Sequence, residues 1–189
     1  MKKLSINILL IVFIILPITG YADSQENELV TRKLPARVSP ADYPDIPEII
    51  ADGLIRLGCE IGQSVDRHVP HNVIEGEFRK TGTKDIAVLC ANKLMSSIVV
   101  FWGGSSVDYD ILAVNKNNQG LTKWKGRDLG YVRLLSAVGK KQIMSFYEGF
   151  GGPKPPLIDH QGIDDYISGK ASRIYYYHEG KWLILQGMD

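Results

Sequence analysis

Apolar residues in this chain fall into three kinds of run, and each kind predicts a different element. The first kind is unbroken. Ile6 to Ile18 is almost wholly apolar, with Lys2 and Lys3 ahead of it and Gly20-Tyr21-Ala22 behind it. A positive start, about a dozen apolar residues and small residues before a cut at Asp23 form the pattern of a secretory signal peptide. The run is shorter than the ~20 residues that cross a bilayer. It predicts export, to the periplasm or beyond, with no membrane anchor after cleavage.

The second kind recurs at helical spacing. Ile46, Ile49, Ile50, Leu54 and Leu57 share one helical face. Asp45 is a candidate cap, Pro47 suits a first turn, and Gly58 is a natural stop. Lys140 to Tyr147 reads as a second helix ending at Gly149, and Asp159 as the cap of a short one through Ile163 and Tyr166.

The third kind is short and bounded by turn residues. Val73–Phe78 alternates, with Ile74 and Phe78 on one face and Glu75 and Glu77 on the other. Ile86–Cys90, Ser97–Trp102 and Asp110–Val114 follow at turn-length intervals, which favours an antiparallel meander. Residues 115–130 read as loop, and Tyr131–Val138 as either strand or helix. The clearest hairpin is Ile174–Tyr177 and Trp182–Leu185 around Glu179-Gly180, with Tyr177 opposite Trp182, Tyr175 opposite Ile184 and Tyr176 opposite Leu183. Both its faces are apolar. One covers the core, and the other is either packed under a helix or exposed.

These elements predict an α+β fold: a mostly antiparallel sheet of five or six strands, the 46–57 helix and one or two later helices. The boundaries are a signal peptide at 1–22, a polar arm at 23–44 with prolines at 35, 40 and 44, and a single globular domain at 45–189. Without its leader the chain has 167 of its 189 residues, one ordinary domain. The leader holds two of the 22 Lys and Arg and none of the 21 Asp and Glu, so the remainder carries a formal charge of −1. A near-neutral chain has no electrostatic reason to bind nucleic acid or anionic membrane. In an oxidising compartment Cys59 and Cys90 are expected to pair as a structural disulfide.

Gly76 to Val88, Gly-Glu-Phe-Arg-Lys-Thr-Gly-Thr-Lys-Asp-Ile-Ala-Val, resembles one blade motif of the FG-GAP and VCBS repeat propellers. The resemblance implies a hairpin, with Asp85 tying down the turn. It implies no calcium, because Arg79, Lys80, Thr81 and Thr83 stand where several carboxylates would be needed. Most of the chain also resembles, loosely, small exported bacterial proteins of unassigned role. The similarity runs from Gly58-Cys59 through Asn72-Val73-Ile74 to Ala87-Val88-Leu89-Cys90, and again over Ile158-Asp159-His160 and Lys170 to Trp182. It implies no activity.

Catalytic signals are sparse. Asp159-His160, with Asp164 and Asp165 nearby, is the best polar cluster, and a His beside carboxylates suits a general base or a metal ligand. Capping and surface roles compete with that reading. His68 and His71 flank Val69-Pro70 without a third ligand at a useful spacing. Glu75 and Glu77, with Asp85 across the hairpin, are the paired carboxylates of a glycosidase or simply a wet strand face. Prolines after Gly149-Phe150-Gly151-Gly152 argue against a phosphate cradle there. No cofactor motif or metal set is found. Trp102, Trp124, Tyr175, Tyr177 and Trp182 are many aromatics for strands and loops and suit a recognition surface. The favoured expectation is an exported, non-enzymatic module that binds a protein or an envelope glycan, with inhibitor or immunity-type partners in view. The rivals are a hydrolase using Asp159 or His160 and a structural envelope protein without a dedicated ligand.

Overall fold

The structure, a computed structural model, describes residues 37–93, 95–123 and 129–187. The expected leader, most of the expected arm and Trp124 lie outside these residues. Strands β1 (Arg37–Val38), β2 (Glu60–Gly62), β3 (Val73–Gly76), β4 (Asp85–Asn92), β5 (Met95–Phe101) and β6 (Tyr109–Lys116) form a six-stranded sheet. Strands β9 (Arg133–Val138), β10 (Gly162–Ile167), β11 (Ala171–His178) and β12 (Lys181–Gln186) form a four-stranded one. A ribbon of β7 (Leu121–Lys123) and β8 (Leu129–Tyr131) lies between them in the chain, inside the stretch read as loop. The pairings in both sheets are antiparallel. Helix α1 (Glu48–Arg56) precedes β2, and helix α2 (Lys140–Phe150) joins β9 to β10.

The expected single sheet is therefore two, and the chain is largely β. The reason is visible in β4, where Ile86, Val88 and Cys90 pack under α1 against Ile50 and Leu54, while Ala87 and Leu89 point the other way. In β11, Ile174 and Tyr176 pack under α2 against Ile143, while Tyr175 and Tyr177 point away from it. Strands that are apolar on both faces need cover on both. One helix covers the outer face of each sheet, and the two inner faces cover one another. The layers run α1, six-stranded sheet, four-stranded sheet, α2. Tyr177 pairs with Trp182, Tyr175 with Ile184 and Tyr176 with Leu183, and the second face of this hairpin lies under a helix.

Two local expectations fail. Asp159 caps no helix, because the residues that follow it form β10. Ile163 points into the core between the sheets and Asp164 to the outside, a period of two, and β9 and β11 offer a ladder on either side. Asp45 does not cap α1 either. It adopts a left-handed φ of 62°, and Pro47 occupies the flanking position with no side-chain cap. Gly58, at φ 63°, ends α1, and Cys59 follows at once. It is joined to Cys90 in β4 across 5.3 Å between Cα atoms. Residues 37–44, the end of the stretch read as an arm, hold β1 and a 3-10 turn with Pro40 buried.

Polar groups tie the sheets together. Asn72, buried and left-handed at φ 72°, donates from Nδ2 to the Gly62 and Arg133 carbonyls at 2.7 and 3.1 Å. Its Oδ1 accepts from the Leu135 N–H at 2.9 Å. Arg133 grips Asp165 with two bonds of 2.7 and 2.9 Å, and reaches across to Ser96 Oγ at 2.7 Å and the Ala113 carbonyl at 3.2 Å. Asp85 accepts from the N–H groups of Phe78, Arg79 and Gly103 and from Thr83 Oγ1, holding the β3–β4 turn to the end of β5.

Two stability outcomes are expected. Closing a loop with a separation of 31 residues stabilises by about 3–4 kcal/mol on chain entropy. Reduction of the Cys59–Cys90 bridge should lower the chemical-denaturation stability by that order, and an unchanged midpoint would contradict it. Arg133→Met strands a buried carboxylate and should cost ~3–5 kcal/mol, whereas Arg133→Met with Asp165→Leu should recover most of the loss. Urea titrations of the single and double variants measure the difference.

Candidate functional site

The sequence-predicted polar cluster is dispersed by β10. Asp159 is exposed, and its backbone carbonyl accepts from Thr81 Oγ1. His160 is buried, with Nδ1 2.9 Å from the Gln161 carbonyl. Asp165 faces inward to Arg133, and Asp164 faces outward. Glu75 pairs with Lys84 on an exposed face, while Asp85 is committed to its turn. These carboxylates and His160 do not share a cleft.

The aromatics come together only in part. Trp102, Tyr177 and Trp182 form a cluster with ring centroids 5.1–5.5 Å apart. The Arg79 guanidinium lies 4.3 Å over Trp102, and Trp182 Nε1 donates to Asp110 at 2.9 Å. Trp102 is only 3 % exposed. The cluster closes one end of the two-sheet core; Trp102 offers no open face for a ligand to stack on, and Trp182 is half-buried. Tyr175 is buried between the sheets.

The concave surface lies instead on the outer face of the four-stranded sheet, where α2 covers only part of it. A cavity of about 450 Å³ is walled by Phe146 and Phe150 and floored by Asp164, Tyr166, Ala171 and Ser172. A second, of about 250 Å³, shares Asp164 and Tyr166 and continues over Leu134 and Ser136. Its far wall is the loop after β2, with Arg67, Val69 and His71. The two make one trough. Phe150 and Tyr166 are both partly open to solvent, and Val69 is two-thirds open. Lys170 stands at one end and Arg67 at the other.

Asp164 sits where the cavities meet. Burial pushes its carboxyl above the usual range, the Ser172 hydroxyl that donates to Oδ1 pulls it back, and Asp165 adds to the push. His71 lines the same trough but is spent. Its Nε2 accepts from the Ser64 N–H at 2.6 Å and its Nδ1 lies 2.8 Å from the Val69 carbonyl, so both ring nitrogens are engaged. Sequence reasoning missed this trough because its walls belong to separate elements: Phe146 and Phe150 to α2, Tyr166 to β10 and Val69 to the loop after β2. The one available signal was Phe146 and Phe150 at helical spacing, ending at the glycines that stop α2. Among the described residues no group of three or more His, Cys, Asp or Glu side chains is placed to hold a metal ion, and no helix is long and apolar enough to cross a membrane. No protein-family model, curated protein or solved structure matches the chain.

A carboxyl that binds its proton more tightly when folded stabilises the fold fully below its ordinary pKa of about 4, and that contribution is lost as pH rises through the raised value. Asp164→Asn keeps an acceptor for Ser172 without the charge. It should be more stable than the parent at neutral pH, with the gap closing as pH falls towards 4. Melting curves of both proteins across that range measure the gap, and a gap independent of pH would contradict the assignment.

Proposed function

We propose that the chain is an exported, non-enzymatic binding module whose trough takes an apolar segment of a partner protein flanked by acidic residues. The observation that carries this reading is the trough itself. Phe146, Phe150, Tyr166 and Val69 line a surface that the protein's own helix leaves uncovered, and cations stand at both ends. Concave, mostly apolar sites with few polar groups are the usual form of a binding pocket. The disulfide is compatible with an oxidising compartment and so with export. Two features favour binding over hydrolysis. Asp164 has an acid's raised affinity for its proton, but His71, which lines the same trough, has both ring nitrogens engaged. Asp159 and His160 lie outside the trough. A glycan is less well served, since Trp102 is buried under Arg79 and the clustered aromatics help close one end of the core.

Peptides selected from a displayed library against the parent protein should carry an aromatic or aliphatic residue next to Asp or Glu. Phe150→Asp should weaken them at least ~10-fold, the loss expected for a buried anchor. Unchanged affinity for that variant, or binding of soluble peptidoglycan fragments in place of peptides, would overturn the reading.

A further inference from the structure

The end of the two-sheet core opposite the aromatic cluster is open. A cavity of about 420 Å³ lies there, between the end of β6 and the β10–β11 hairpin, lined by Asn115, Gln119, Asp165, Ile167, Lys170 and Arg173. It opens on the other side of the sheet from the trough, although Lys170 and Ala171 border both.

The charge balance of this cavity is unusual. Its deepest group, Asp165, is 5 % exposed, and both its oxygens are held by the 2 % exposed Arg133. The acid is thereby neutralised from behind. What remains at the mouth is positive: Arg173, the cross-strand neighbour of Asp165, and Lys170 in the hairpin turn, both exposed. Tyr175, on the strand that carries Arg173, feels both charges: burial and Asp165 raise its pKa, and Arg173 opposes them.

The backbone is also shaped here. The β5–β6 register slips between Ser96 and Ile98, and Ala113 adopts φ 54°, a conformation that non-glycine residues rarely take. Bulges re-aim side chains beside binding sites, and backbone outliers persist where surrounding structure holds them. The Ala113 carbonyl meets both Arg133 Nη2 and, at 2.9 Å, Asn115 Nδ2. One bulge thus positions the buried guanidinium and the amide at the cavity wall. Gln119 adds a second amide.

Cations recognise a carboxylate. Planar amides donate and accept, which suits hydroxyl groups. Ile167 and Ala171 add apolar side chains to the lining, against which one face of a small ring can rest. We propose that this cavity is a binding site for a hydroxylated carboxylic acid of monosaccharide size, with Arg173 and Lys170 on the carboxylate and Asn115 and Gln119 on the hydroxyls. The site does not depend on the trough or its occupant.

Titration of the full chain with glucuronate, followed by amide NMR, should give a saturable shift of the Asn115 and Gln119 side-chain resonances. Glucose, which lacks the carboxylate, and acetate, which lacks the hydroxyls, should each bind at least ~10-fold more weakly. Lys170→Gln with Arg173→Gln, both surface positions, should abolish the response. Gln119→Ala should weaken glucuronate while leaving acetate unchanged, and Phe150→Asp should leave the response intact. No shift with glucuronate would overturn the proposal. So would an equal response to glucose or inorganic phosphate, or a response that survives the double substitution.

Discussion

The Asn72 side chain uses both its donors and its acceptor on three backbone groups, and these groups belong to different sheets. Gly62 lies in β2 of the six-stranded sheet, and Arg133 and Leu135 lie in β9 of the four-stranded sheet. Its own carbonyl accepts from Leu89 in β4 at 2.9 Å. A buried backbone group left without a partner costs about as much as a lost hydrogen bond. Removing this one amide would leave such groups in both sheets. Few residues fit. Aspartate cannot donate to two carbonyls, a longer side chain would displace the strands, and the left-handed backbone is one that asparagine tolerates better than most.

The inter-sheet core is sealed differently at its two ends, and that difference separates what the protein keeps for itself from what it presents. One end is filled by Trp102, Tyr177 and Trp182 with Arg79 laid over them. The other is held by Arg133 and Asp165, which satisfy each other but leave a hollow beyond. The outer face of the four-stranded sheet is likewise half covered: α2 packs over Val138, Ile174 and Leu185 and leaves Ser136 and Tyr166 open.

Much of the strand order was legible, because hairpins are local: the Tyr175–Tyr177 and Trp182–Ile184 register follows from a two-residue turn and alternation. So was the bridge, since Gly58 ends a helix next to Cys59. The division into two sheets was not. It depends on which strands pair over long separations, and Ile86–Cys90 reads alike whether a helix or a second sheet covers its other face. Asp164-Asp165 misled for a related reason. Adjacent acids with Ile163 and Tyr166 fit a helix surface, and only the ladders on both sides of β10 make them point to opposite faces. The trough was hidden because its walls come from α2 and the loop after β2, far apart in sequence.

Each helix-and-sheet pair is built from one continuous stretch of chain, 37–116 for the first and 133–186 for the second. Local pairing lets either half form early, but each then exposes an apolar face: Ala87, Leu89, Ile98 and Val100 on one, Leu135, Ile163 and Tyr175 on the other. The bonds that join the halves span 20 to 84 residues, from Arg133–Ala113 to Glu77–Gln161. Contacts of such separation form late. Docking of two sticky half-molecules is therefore the step at which folding competes with aggregation, and the polar ties at Asn72 and Arg133 reward only the correctly registered pair.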